Sequence, residues 1–152
     1  MSLSGKVESE TEIEATAAKF FHIFRKQLGH VPNISPEVHG NSVHEGNWEN
    51  IGSVKHWEYT IEGRKHTTKE KIESIDDDNK IIKYSVYDGD VTDSYKTFKV
   101  TLQVIDRENG GLVKWTIDYE KLKEDITAAS PDSYLVLFAK ITNDIDAHLV
   151  KE

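Results

Sequence analysis

Four short polar turns restrict most of this chain to one kind of sheet. Glu62-Gly63, Asp76-Asp77-Asp78-Asn79, Asp88-Gly89-Asp90 and Asn109-Gly110-Gly111 separate segments in which apolar and polar residues alternate. That alternation places strands at roughly 53–61, 64–75, 80–87, 94–105 and 112–121, with a further strand at 40–45. Connections this short leave no room for a crossover, so neighbouring strands can pair only antiparallel.

The two ends complete the architecture. Val7, Ser9, Thr11 and Ile13 alternate with Lys6, Glu8, Glu10 and Glu12, the pattern of a half-buried opening strand. The period then changes. Phe20, Phe21, Phe24 and Leu28 fall on one helical face, with Gly29 as a stop, and "VPNISPEV" predicts a second short helix starting near Ser35. Near the C-terminus Ser130 is placed to cap a helix with Pro131 in its first turn. Tyr134, Phe138, Ile141 and Ile145 continue that helix for about 20 residues, roughly 30 Å. A long antiparallel sheet and a long helix must bury one face of each against the other. The expected fold is therefore α+β: a curved seven-stranded antiparallel sheet wrapped around the C-terminal helix, with two short helices after the first strand. Without a composition shift or linker, the 152 residues read as one domain over 1–152.

Strand parity says what the sheet turns inward. In 64–75 one face carries Lys65, Lys69, Lys71 and Glu73, so the opposite set, His66, Thr68, Glu70, Ile72 and Ser74, points to the interior. The same reasoning assigns Lys55, Trp57, Tyr59 and Ile61, then Ile82, Tyr84 and Val86, to that face. Phe98, Val100, Leu102 and Val104, and finally Val113, Trp115, Ile117 and Tyr119, complete it. This interior is aromatic but unusually polar, with Lys55, His66, Thr68, Glu70 and three tyrosines facing inward. A dry core excludes most such groups, whereas an apolar cavity with a few inward polar groups is the usual chemistry of a small-molecule pocket. A hollow interior is expected, lined by these residues and by Tyr134, Phe138, Ile141 and Ile145 of the last helix.

Other chemistries fit poorly. The formal net charge of −8 gives no general attraction to nucleic acid or to an anionic membrane face. There is no cysteine, hence no disulfide or thiolate chemistry. The opening residues contain no apolar run, so neither a signal peptide nor a membrane anchor is expected, and the cytoplasm is the expected location. The seven histidines form no pair at helical metal-binding spacing, and both acidic clusters, "DDDNK" and "DGDVTD", misplace the glycine of a calcium loop. No metal or cofactor is expected. "HEGNWENIGS" is glycine-bearing like a phosphate loop, but lacks the lysine after its second glycine and leads into a strand rather than a helix. Gly46 and Gly52 then read as backbone devices of a loop between two strands, with Trp48 as its bulky side chain, placed to gate the cavity entrance.

Several stretches, in order along the whole chain, resemble one family: "LSGKVESETEIEA", "HEGNWENIGSVKHWEYTIEG", "KEKIESID", "SVYDGD", "SYKTFKVTLQV" and "VKWTIDYEKLKED". The chain is similar to the birch-pollen-allergen superfamily, also called class-ten pathogenesis-related proteins, and within it to the major latex protein branch. The resemblance implies a helix-grip fold in a plant protein. It also implies a cavity for hydrophobic or amphipathic molecules of hormone, steroid, flavonoid or fatty-acid class, and a role in defence or stress response. Two alternatives remain open: a pocket enzyme using Glu70, Lys55 and Tyr84 as acid–base groups, since some relatives catalyse alkaloid condensation, or a protein whose partner surface is gated by ligand.

Overall fold

In a computed structural model, residues 3–126 and 128–151 are described, so Met1 and Ser2 of the polar opening stretch lie outside the described residues. The elements are β1 (Ser4–Ile13), α1 (Ala17–Lys26), a 3₁₀ turn (Leu28–His30), α2 (Val31–Ile34), β2 (Val38–Glu45), β3 (Val54–Ile61) and β4 (Arg64–Asp76). There follow β5 (Ile81–Tyr87), α3 (Gly89–Ser94), β6 (Tyr95–Arg107), β7 (Gly110–Lys121) and α4 (Pro131–Val150). The seven strands form one sheet in the order β1-β7-β6-β5-β4-β3-β2, every pair antiparallel. Strands β2 to β7 are a meander, as the short turns require. The helical segment after β1 carries the chain to the opposite edge. This is the expected helix-grip arrangement.

Local chemistry explains the joints. Glu62 and Gly63 both take positive φ, 52° and 75°, the backbone of a tight hairpin whose twist matches its strands. The Ser130 hydroxyl accepts from the Ser133 amide at 3.2 Å, and Pro131 occupies the first turn of α4, as predicted. The far end of α4 is tied down by Asp146, whose carboxylate accepts from the amides of Glu14 at 3.0 Å and Ala15 at 2.8 Å. Ser35 adds a second tie, donating from Oγ to Asp144 at 2.7 Å.

Three expectations are corrected. The second short helix ends at Ile34 instead of starting near Ser35. Pro36 disfavours helical backbone at the residue before it, and Ser35 is extended at φ −113° and ψ 113°, while Pro32 fits the helix's first turn. Asp88-Gly89-Asp90 is not a plain hairpin turn but leads into α3, whose cap is the Asp88 side chain accepting from the Gly89 amide at 2.9 Å. Finally, a register shift between Ile72 and Ser74 reverses parity, so Ser74 is exposed and Ile75 packs against the core. A bulge of this kind adds one residue to one strand and is invisible to alternation alone.

The core lies between the sheet's concave face, α1 and α4. Phe20, Leu102, Val113, Ile117 and Ile145 have no exposed surface. Aromatic rings run from α1 to α4 through the sheet: Phe24 meets Trp115 edge-on at 5.5 Å, and Trp115 lies 4.8 Å from Phe138. The Trp115 indole donates to Thr142 Oγ1 at 2.9 Å, which fixes that ring against α4.

Candidate functional site

Beneath α4 the core is incomplete, leaving a cavity of about 80 Å³. Of the residues predicted to face inward, Trp57, Tyr59, Thr68, Glu70, Tyr84, Val86, Phe98, Val100, Trp115, Tyr134, Phe138 and Ile141 line it. Ile82, Leu102, Val113, Ile117 and Ile145 also point inward, but into solid packing. Lys55 and His66 are buried outside the wall, and Tyr119 is drawn aside, against Gly5 and, at 6.1 Å, against Tyr95. Parity identifies the inner face of a strand, but only the helices decide which part of it stays unfilled. Phe24, Leu28, Val31, Val38 and Leu137 line the cavity without having been predicted to do so. Leu137 stands three residues after Tyr134 and four before Ile141, so helical spacing was the available signal.

The cavity's polar groups come from three adjacent strands. Lys55 on β3 pairs in register with Glu70 on β4, and β4 in turn sets Glu70 opposite Val86 and Ile72 opposite Tyr84 on β5. Lys55 is fully buried and its ammonium donates to the Trp48 carbonyl at 3.4 Å. Burial lowers the Lys55 pKa, against the opposing pull of the Glu70 carboxylate. Burial likewise pushes Glu70 up to about 7, opposed by the charge of Lys55 and by the nearby Trp57 indole. No hydrogen bond joins that indole to the carboxylate. Among the described residues, three buried polar atoms at the cavity wall have no hydrogen-bond partner: Trp57 Nε1, Glu70 Oε1 and the Tyr84 hydroxyl oxygen. The Tyr84 hydroxyl is held well above its usual pKa by burial and by Glu70. Higher in the cavity the Tyr59 and Tyr134 hydroxyls bond each other, and burial pushes Tyr59 up to about 12. His66 stacks on Tyr59 and its Nδ1 meets Asp90 Oδ2 at 2.7 Å, so its polar edge serves α3.

The raised Glu70 pKa has a measurable consequence. Between its ordinary value of 4.5 and about 7 the folded chain holds this proton more tightly than the unfolded chain. The stabilisation is therefore complete below about 4.5 and is lost as pH rises through about 7. At ~1.4 kcal/mol per unit the loss amounts to about 3 kcal/mol. Urea denaturation across that range is expected to show the slope in the wild type and a flatter one in Glu70→Gln. In Lys55→Met the slope should extend above pH 7, because the charge holding Glu70 down is gone. Identical slopes in all three proteins would show that Glu70 does not titrate there.

The loop expected to gate the cavity stands outside its wall. No residue of 46–53 lines the cavity, and the segment is bound to itself and its neighbours. Asn47 Oδ1 accepts from the amides of Glu49 at 2.9 Å and Asn50 at 2.8 Å, while the Gly52 amide donates to the Ile72 carbonyl at 2.8 Å. Arg25 on α1 donates to the Glu49 carbonyl at 3.0 Å, and the Trp48 ring packs on Gly29. At Gly46, φ is +77° and a Cβ would collide with Ser53 Oγ, so glycine is needed for the loop to fold onto its own end. Trp48 is thus a wedge between the loop and the turn after α1. On the outer surface, Glu37, Ile61, Glu62, Ser133, Val136 and Lys140 help form a larger furrow of about 340 Å³, which shares Leu137 with the cavity. The furrow's rim is charged and open, whereas the unpartnered polar atoms turn to the interior, which makes the interior the better candidate. Among the described residues no three His, Asp or Glu side chains converge to hold a metal ion.

Comparison with known proteins settles the ancestry of this arrangement. Residues 2–152 match the model of the pathogenesis-related protein Bet v 1 family. The chain belongs to that family. Within it the chain is 39% identical to MLP-like protein 43 of Arabidopsis thaliana over 154 residues, 99% of this chain and 96% of the relative. The crystal structure of ginseng major latex-like protein 151 from Panax ginseng superposes with a TM-score of 0.90 at 36% identity, covering 96% of this chain and 97% of that one. Norcoclaurine synthase of Thalictrum flavum superposes with a TM-score of 0.76 at 15% identity over 99% of this chain and 89% of its own, which shows a shared fold alone. Membership in the Bet v 1 family implies a protein that binds hydrophobic ligands. No helix among the described residues is long and apolar enough to cross a membrane.

Proposed function

We propose that this member of the Bet v 1 family is a single ligand-binding domain that carries or buffers a hydrophobic or amphipathic small molecule in the cavity beneath α4. A cytoplasmic role in plant defence or stress response belongs to the same reading, by likeness to the major latex proteins. The observation that carries the proposal is the cavity wall: aliphatic and aromatic side chains from α1, α4 and five strands, interrupted by Trp57, Glu70 and Tyr84 with unmet polar atoms. Unfilled apolar space forfeits packing, and unmet buried polar groups each cost about 1–3 kcal/mol, so an occupant that supplies both contacts is stabilising. Drug-sized ligands occupy pockets of about 300 Å³ or more. A cavity of about 80 Å³ must therefore widen on binding, by movement of α4 or rotation of Leu137 and Phe138.

Catalysis is the second reading. A carboxyl group titrating near 7 at a cavity wall has the affinity for protons that a general base needs. Against it stands Lys55, whose charge faces Glu70 in register and whose ammonium is bonded to a backbone carbonyl. Binding is tested by titrating the protein with the neutral fluorophore N-phenyl-1-naphthylamine. Saturable uptake of one probe per chain is expected, with energy transfer from Trp57 and Trp115. Absence of saturable uptake for this and other neutral apolar probes would remove the carrier reading.

A further inference from the structure

The three unpartnered atoms have a combined valence that narrows the ligand class. Trp57 Nε1–H can only donate, the Tyr84 hydroxyl can do either, and Glu70 Oε1 can only accept above about pH 7, where its carboxyl is ionised. They stand on β3, β4 and β5, on the same face of three neighbouring strands. In register, Trp57 lies opposite Thr68 and Glu70 opposite Lys55, so Trp57 and Glu70 are diagonal neighbours. Tyr84 lies opposite Ile72 and Glu70 opposite Val86, which makes Tyr84 diagonal to Glu70 on the other side. Diagonal positions on paired strands are about 7–8 Å apart, within reach of aromatic side chains. The wall thus presents a donor and an amphoteric group on either side of the Glu70 carboxylate, each close enough to act on it.

We propose that Trp57, Glu70 and Tyr84 form a hydroxyl-recognition site, so that the cavity selects an apolar ligand bearing a neutral phenol or alcohol over its hydrocarbon and carboxylate analogues. The proposal rests on the cavity being the ligand site. A hydroxyl group donates once and accepts twice. Its hydrogen goes to Glu70 Oε1 and its two lone pairs receive the Trp57 N–H and the Tyr84 O–H, which satisfies all three atoms. Other head groups leave a deficit. A ketone or ether accepts from Trp57 and Tyr84 but offers nothing to Glu70. An ammonium donates to Glu70 but has no lone pair for the indole and adds a cation near Lys55. A carboxylate accepts twice but sets its charge against Glu70, and the Lys55 ammonium is already bonded to the Trp48 carbonyl. A hydrocarbon meets none of them.

The test uses the whole chain at about pH 8, where Glu70 is ionised, and a matched probe set, 2-naphthol, naphthalene and 2-naphthoate, each competing against N-phenyl-1-naphthylamine. Naphthol is expected to bind about 10- to 100-fold more tightly than naphthalene, and naphthoate more weakly than naphthol. In Trp57→Phe and Tyr84→Phe the naphthol-to-naphthalene ratio should fall toward one. That ratio cancels any general change in packing, and the wild-type ratio stands even if one variant folds poorly. Equal affinity for naphthol and naphthalene in the wild type overturns hydroxyl recognition, as does a preference that both variants keep. If none of the three competes and the fluorophore itself does not bind, the carrier reading fails with it, a result distinct from loss of the hydroxyl preference alone.

Discussion

Phe20→Ala is expected to lower the unfolding free energy by about 3–5 kcal/mol, the range for removing a buried aromatic ring that leaves a cavity behind. Phe20 has no exposed surface, and its ring lies 5.4 Å from that of Phe24. Phe24 in turn supports Trp115 at 5.5 Å, and Trp115 supports Phe138 on α4 at 4.8 Å. The ring is thus the first of a stack that fixes α1 to the sheet and the sheet to α4. Little compensation is available, because the strands on which α1 rests are the most extensively paired in the sheet, β6 with β7 and β7 with β1. Chemical denaturation at constant pH measures the loss. A decrease below ~1 kcal/mol would mean that α1 is not anchored through this residue. Phe24 is a wall of the cavity, so the same substitution is expected to loosen the candidate site as well.

Much of the fold can be read in the residues because local signals agreed with one another. Turns of two to four residues dictated an antiparallel meander. The lysine-rich face of β4 fixed which side was wet, and that single inference placed Lys55, Thr68 and Glu70 correctly in the interior. Errors arose where tertiary structure or a backbone irregularity overrode the local pattern. The bulge after Ile72 moved Ser74 outward without leaving a compositional trace. The backbone preference imposed on Ser35 by Pro36 outweighed the serine's suitability as a helix start. The site was legible only as a face. Ile82 and Ile117 alternate as regularly as Tyr84 and Val100, yet the first two are packed solid and the second two border empty space. That distinction depends on how α1 and α4 lie across the sheet, which no strand pattern encodes. The packing of the loop at 46–53 was hidden for a related reason. Its glycines signal unusual backbone, but the tether from Arg25 to the Glu49 carbonyl and the seat of Trp48 on Gly29 involve residues some 20 positions away.

Binding of N-phenyl-1-naphthylamine to Val100→Phe, compared with the wild type, tests the cavity as the ligand site most directly. Val100 on β6 lines the cavity and is 3% exposed, so a phenylalanine there projects its ring into the space the probe must occupy. Overpacking a filled core costs about 1–3 kcal/mol, but here the added ring has a void to enter, so the loss of stability should fall at or below the low end of that range. The affinity should fall at least about tenfold, equivalent to ~1.4 kcal/mol of lost binding energy. Val136→Lys provides the opposing control. Val136 is 71% exposed in the outer furrow, and a charge there should leave probe binding within about twofold of wild type. A folded Val100→Phe protein with wild-type affinity, together with loss of binding in Val136→Lys, would place the ligand in the furrow and contradict the cavity as its site.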